Sequence, residues 1–313
     1  MKIAFVFPGQ GSQYAGMGRK LFTQYPAARE VFAGADEILG FPLSRLCFEG
    51  PAEELQKTVN AQPAILTVSV ACLAVLAEKG VRPAAAAGHS LGEYTALVAA
   101  GALSFRDALL LVRKRGRYMQ EAVPLGEGGM VAVLGLAAEV VAGICRQVEE
   151  KGYRCDVANY NCPGQAVIAG ERKALAEAAA MAKAQGAKKC VELAVSAPFH
   201  SRFMRPAAER LAADLAGTAV ADPAVPVVAN VTADYVTSGE EIRKLLVEQI
   251  YSPVRWEQSV HRLAGDGVNI FLEIGPGSVL TGLIRKIARP ALVLPLEDPE
   301  SLEKVLAHLL EVS

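Results

Sequence analysis

Gly88-His89-Ser90-Leu91-Gly92 places a serine between two glycines with the spacing G-x-S-x-G. That spacing suits a serine on a sharp strand-to-helix turn, where side chains at the flanking positions would clash with the backbone. Such a turn exposes the hydroxyl and aims the N-terminus of the following helix at it. A developing oxyanion is then stabilised by the Leu91 backbone N–H and the helix dipole. The chemistry in view is acyl transfer through Ser90, which needs a base to take its proton. The chain has four histidines. His89 adjoins the serine and should point away from its hydroxyl, as a packed neighbour. His261 falls in a helical run and His308 in a C-terminal amphipathic helix. His200 stands in the loop Ser196-Ala197-Pro198-Phe199-His200-Ser201, where a small domain should return to a larger one, and clefts form at such junctions. No single acid stands out as a third member.

A second candidate lies in the basic cluster Arg113-Lys114-Arg115-Gly116-Arg117. Most such runs are solvated faces. Arg115, however, has Leu111, Val112, Tyr118 and Met119 at its i±3 and i±4 positions, so it projects from the apolar stripe of its helix. Arg113 and Arg117 share a polar side. An arginine on a buried face requires an anionic partner, and its fork matches a carboxylate in two parallel hydrogen bonds.

These residues need a scaffold. Ile3 to Phe7 reads as a buried strand closed by Pro8-Gly9-Gln10-Gly11, and Ala84 to Ala87 leads into the serine turn. Helix-forming residues run from Leu91 to Ala100. Ser104-x-x-Asp107 opens another helix that extends to about Ala122. From Gly126 to Ser196 the rhythm is β-α-β-β-α-β, the split βαβ of a ferredoxin-like unit. Strand and helix then alternate again, with a strand near Val225 to Val231, a helix from Gly239 to Ile250 and an apolar run from Asn269 to Ile274. The expected fold is α/β: an α/β-hydrolase-like core with a parallel sheet, residues 1–125 and 197–313, carrying an inserted ferredoxin-like subdomain, residues 126–196.

Composition narrows the function classes. Hydrophobic residues make up 52% and charged residues 21% of the 313, enough for a sizeable core. A formal charge of −1 gives no basic field for general nucleic-acid binding. The most apolar stretch, Ala64 to Ala77, is too short for a membrane span and reads as a buried helix. The six cysteines form no C-x-x-C pair and no short Cys/His cluster. With no secretory signal, they read as reduced, buried residues of a cytoplasmic protein.

Taken in order, Pro8-Gly9-Gln10-Gly11-Ser12-Gln13, Gly88-His89-Ser90-Leu91-Gly92-Glu93, Arg115, Pro198-Phe199-His200, Gln249 and Glu273-Ile274-Gly275-Pro276-Gly277 resemble the malonyl-CoA:acyl carrier protein transacylase family. The likeness spans essentially the whole chain. It implies transfer of malonyl from malonyl-CoA to the phosphopantetheine thiol of an acyl carrier protein, in fatty-acid or polyketide synthesis. It also implies a dyad of Ser90 and His200, with the Gln249 backbone carbonyl orienting the imidazole. The Gln10 amide joins that of Leu91 in the oxyanion hole, and Arg115 receives the malonyl carboxylate. Phe199 resembles the bulky residue that leaves no room for an α-methyl branch, and Met119 is expected to line the same pocket.

No metal or cofactor is implied, and a monomer is expected. An acidic carrier calls for a basic rim, with Lys183, Lys188, Lys189, Arg202 and Arg205 as candidates. Gly275-Pro276-Gly277 lacks the pattern of a phosphate-binding loop and reads as a structural βα turn. Two other readings stay open: a serine esterase or thioesterase with water as acceptor, which gives Arg115 no clear task, and a non-catalytic carrier-binding module, which would not need Ser90 and His200.

Overall fold

The computed structural model describes residues 2–124, 126–195 and 197–311. Among these described residues ten strands fall into two sheets: β1 (Ile3–Phe7), β2 (Ala85–Gly88), β3 (Gly128–Leu134), β4 (Cys155–Cys162), β5 (Gln165–Glu171), β6 (Lys189–Glu192), β7 (Val227–Val228), β8 (Tyr235–Val236), β9 (Ile270–Ile274) and β10 (Leu292–Leu296). The larger sheet has the order β10-β9-β1-β2-β7-β8 and is parallel except for β8. Every residue of β1, β2 and β9 is buried. Continuous apolar strands of this kind belong to parallel sheets covered on both faces. Alternate residues serve the two faces: Phe5, Phe7 and Leu272 enter one apolar cluster, and Ala4, Val6 and Phe271 the other.

Register decides where the site forms. Phe7 pairs with Gly88 and Val6 with Glu273, so β1, β2 and β9 end at the same edge of the sheet. The loops carrying Gln10, Ser90 and Gly275 leave from that edge, where open α/β sheets hold their ligands. The turn after β9 is structural. The buried Glu273 carboxylate accepts from the Leu280 and Thr281 amides, at 2.9 and 2.6 Å, and so holds the start of the helix Val279–Ile287.

The smaller sheet, β4-β5-β3-β6, is antiparallel throughout and comes entirely from residues 128–192. The helices Ala138–Glu150 and Arg172–Ala184 cover one face, packing Ile144, Val148 and Ala178 on Val131, Val133 and Ile168. Met130, Ala132 and Ala169 on the other face join the main core. Backbone hydrogen bonds from Tyr160 to the Val254 carbonyl and from Val254 to the Ala158 carbonyl, both 2.9 Å, stitch β4 to the larger part. The expected junction residues at 125 and 196 lie outside the described residues.

The structure departs from the sequence pattern in three places. The strand expected near 225–231 shrinks to Val227–Val228, which folds back on β8. The last strand of the β-α-β-β-α-β run read between Gly126 and Ser196 stops at Glu192. The sequence pattern does not single out β10, where Pro295 interrupts an edge strand that tolerates a missing N–H. The apolar run beginning at Ala64 belongs to the helix Thr58–Glu78. That helix has the length and hydropathy of a membrane span, yet 78% of its most apolar window is buried inside the fold, as befits a core helix.

Candidate active site

Ser90 occupies the turn between β2 and the helix Gly92–Ala99 with φ 53°, a left-handed value that a non-glycine residue adopts at a cost. The flanking glycines are dictated by contact. A Cβ on Gly88 would lie 1.9 Å from the Gly92 carbonyl carbon, and one on Gly92 would lie 2.1 Å from the Phe7 carbonyl oxygen. Asn230, just beyond β7, pins the turn: its Oδ1 accepts from the Ser90 N–H at 2.7 Å, and its Nδ2 donates to the Gly88 carbonyl at 2.6 Å.

Ser90 Oγ lies 2.7 Å from His200 Nε2, and His200 Nδ1 lies 2.8 Å from the Gln249 carbonyl oxygen. A carbonyl can only accept, so this contact assigns the proton to Nδ1 and leaves Nε2 free to receive the serine proton. His200 is 4% exposed and itself has φ 56°. Burial, reinforced by the charge of Arg115, lowers the imidazole to about 3, so it is neutral at physiological pH. The imidazole is thus oriented by a backbone oxygen. The acid nearest the serine turn, Glu93, bonds to Asn230 and Gln249 instead.

Arg115 projects from the helix Phe105–Glu121 and is 1% exposed. Its Nη1 donates to Gln62 Oε1 at 2.8 Å; its Nη2 donates to Gln249 Oε1 at 2.8 Å and to Ser90 Oγ at 3.1 Å. The guanidinium carbon stands 5.5 Å from the Tyr94 ring centre, and Nε is buried without a partner. All its hydrogen-bond acceptors are neutral. Burial lowers its pKa from the ordinary value, while Tyr94 and Glu93 oppose that shift. A desolvated guanidinium beside the Ser90 hydroxyl, bonded to no carboxylate, has the chemistry to receive an anionic group.

A pocket of ≈ 370 Å³ opens onto Ser90, His200 and Arg115, with Met119 and Phe199 in its wall. Those two side chains are 1% and 6% exposed. The backbone N–H groups of Gln10, in the loop after β1, and of Leu91, in the serine turn, hydrogen-bond to no other described residue. The Gln10 side chain is anchored to Thr58 Oγ1 at 3.1 Å, which fixes its loop. A separate cleft of ≈ 680 Å³ also reaches His200, past Arg202 and Tyr251, but touches neither Ser90 nor Arg115.

The remaining sequence candidates fall elsewhere. His89 is half-buried, 2.9 Å from Asn161 Oδ1 and edge-on to Trp256, and desolvation lowers its pKa from the ordinary value. His261 and His308 lie on exposed helix faces. Of the basic-rim residues, Arg202 is tied to Asp156 and Glu149 and is no free cation. Among the described residues, no group of three or more His, Cys, Asp or Glu is gathered as a metal site. Three residues escaped sequence reasoning: Gln62, Asn230 and the Gln249 side chain. Gln62 did leave a signal, as an uncharged polar side chain two residues before the apolar run, in the same buried helix.

The chain belongs to the acyl transferase domain family, whose model matches residues 4–302, and is thus an acyltransferase. Within that class it is similar to the malonyl CoA-acyl carrier protein transacylase of Bacillus subtilis (strain 168), with 52% identity over 310 residues covering 99% of this chain and 98% of that protein. The protein of the same name from Escherichia coli (strain K12) is 47% identical over 306 residues, covering 97% of this chain and 99% of that one. Among solved structures, an acyl-carrier-protein S-malonyltransferase from Burkholderia pseudomallei 1710b superposes with a TM-score of 0.96 at 44% identity, covering 98% of this chain and all of that one (100%). A malonyl-transacylase solved in complex with its type II PKS acyl-carrier protein gives a TM-score of 0.96 at 46% identity, covering 98% and 100%.

Proposed function

We propose that this chain transfers malonyl from malonyl-CoA to the phosphopantetheine thiol of an acyl carrier protein through a malonyl-serine intermediate. The observation that carries the reading is Arg115, buried and bonded only to neutral acceptors, 3.1 Å from the Ser90 hydroxyl. An esterase acting on neutral acyl groups has no use for that charge.

In this mechanism His200 Nε2 takes the proton of Ser90 as Oγ attacks the thioester carbonyl. The oxyanion forms against the Gln10 and Leu91 amides, each worth about 3 kcal/mol of transition-state stabilisation. Collapse expels the coenzyme A sulfur, which takes the proton from His200. The carrier thiol then gives its proton to His200, attacks the malonyl-serine carbonyl and regenerates the serine. Arg115 holds the malonyl carboxylate through both half-reactions, and Phe199 and Met119 bound the space beside the acyl carbon. The Gln249 carbonyl keeps Nδ1 protonated and the ring in line.

No metal or organic cofactor enters the reading, because the acyl group arrives activated as a thioester. Six unpaired thiols fit a reducing, cytoplasmic compartment. The experiment is steady-state transfer with malonyl-CoA and a phosphopantetheinylated carrier protein, both varied. Parallel double-reciprocal lines support a shared acyl-enzyme. Malonate release at the same rate without carrier would refute the transferase reading.

A further inference from the structure

Glu93 is the second residue of the helix Gly92–Ala99 and is 3% exposed. Its Oε2 accepts from the Asn230 N–H at 3.0 Å and from Gln249 Nε2 at 2.7 Å. The second of these bonds fixes which way the Gln249 amide faces. Gln249 Nε2 also donates to the Ser90 carbonyl at 3.0 Å, so Oε1 is left to accept from Arg115 Nη2 at 2.8 Å. A flipped amide would set oxygen against two acceptors and NH2 against a cation. One carboxylate therefore bonds to the residue that pins the serine turn and to the residue that supports both His200 and Arg115.

We propose that Glu93 is a positioning residue that holds Arg115 in register through Gln249 and, as the titratable counter-charge of that arginine, tunes the preference for carboxylated over neutral acyl groups. The inference rests on the malonyl-transfer reading given above. With Glu93 ionised, the buried pair is neutral, and an incoming carboxylate meets a nearby negative charge. With Glu93 protonated, the same cavity carries a net positive charge and draws the carboxylate in, while the Oε2 contacts can persist.

Burial pushes Glu93 up to about 7, against the opposing effects of Gln249, Asn230 and Arg115. Of the other ionisable groups around it, burial lowers His89 and His200 and raises Tyr94, all away from the neutral range toward which Glu93 is pushed. Burial also lowers Arg115, but a guanidinium keeps its proton in proteins.

The test is the ratio of acyl-enzyme formation rates with malonyl-CoA and acetyl-CoA, measured by rapid quench from about pH 6 to about pH 8.5. The phosphates of coenzyme A are common to both substrates and cancel. In the unaltered protein the malonyl-to-acetyl ratio should fall as pH rises. In Glu93→Gln, whose amide oxygen can still accept, the ratio should be flat and exceed the unaltered protein's by about tenfold at the alkaline end, as for one charge acting across about 12 Å at an effective dielectric of about 20. A ratio independent of pH in the unaltered protein overturns the inference even if the variant does not fold. A Glu93→Gln ratio that follows the unaltered curve overturns it as well. Absence of any acyl-enzyme overturns the transferase reading and this inference together, whereas acyl-enzyme with a flat ratio overturns the inference alone.

Discussion

Around the large sheet's functional edge, charge is buried and each group has a fixed neighbour: Arg115 on Gln62 and Gln249, Glu93 on Asn230 and Gln249, Glu273 on two helix amides. On the small sheet's helices the pairs are solvated. Lys151–Glu177 has side chains 52% and 37% exposed, and Arg172–Glu192 has 56% and 66%. The same residue types thus act under different physics. A buried charge costs several kcal/mol unless its surroundings are arranged for it, so its position carries information about a ligand. An exposed pair contributes about 0–1 kcal/mol and carries none.

The largest expected break in this contrast is Arg115→Ala. Acylation by malonyl-CoA should fall on the order of 10⁴-fold while acetyl-CoA gains relative to it, because a site built for a polar partner rejects analogues lacking it by about that factor. Rapid-quench acylation with each thioester reads this out, and equal losses for both would remove Arg115 from selectivity. A smaller effect concerns pH. Because burial lowers His200 from an ordinary 6.5 to about 3, its base form persists as the solution is acidified. Acylation by acetyl-CoA, whose acyl group makes no demand on Arg115, should therefore hold nearly level down to about pH 5. An acid limb centred at 6.5 would show a solvated imidazole instead. The smallest effect belongs to the other region: Lys151→Ala should change stability by less than about 1 kcal/mol in urea unfolding. A larger loss would mean that the small sheet also depends on its charges.

What could be read from the sequence follows the same division. The serine turn was legible because its glycines are forced by backbone contacts within a few residues or one strand pairing away. Arg115 was legible because helical periodicity alone places it among Leu111, Val112, Tyr118 and Met119, all of them buried. The ferredoxin-like unit showed in the order of its elements, since each strand and helix has its own period. Asn230 was not legible. Its contacts with Ser90 span 140 residues of chain, and an asparagine after a short strand looks like any turn residue. The Gln249 side chain was hidden for a related reason: only the assembled site shows one glutamine serving the imidazole through its backbone and the guanidinium through its amide. Arg202 misled in the opposite sense, being an apparent rim cation that Glu149 and Asp156 of the small unit neutralise.

The most direct test mixes the protein with equal amounts of malonyl-CoA and acetyl-CoA, without carrier, followed by intact-mass spectrometry and peptide mapping. The account predicts a malonyl adduct on Ser90 in large excess over acetyl, discharged when a phosphopantetheinylated carrier is added. Equal labelling by the two acyl groups, an adduct on another residue, or free malonate with no adduct would contradict it.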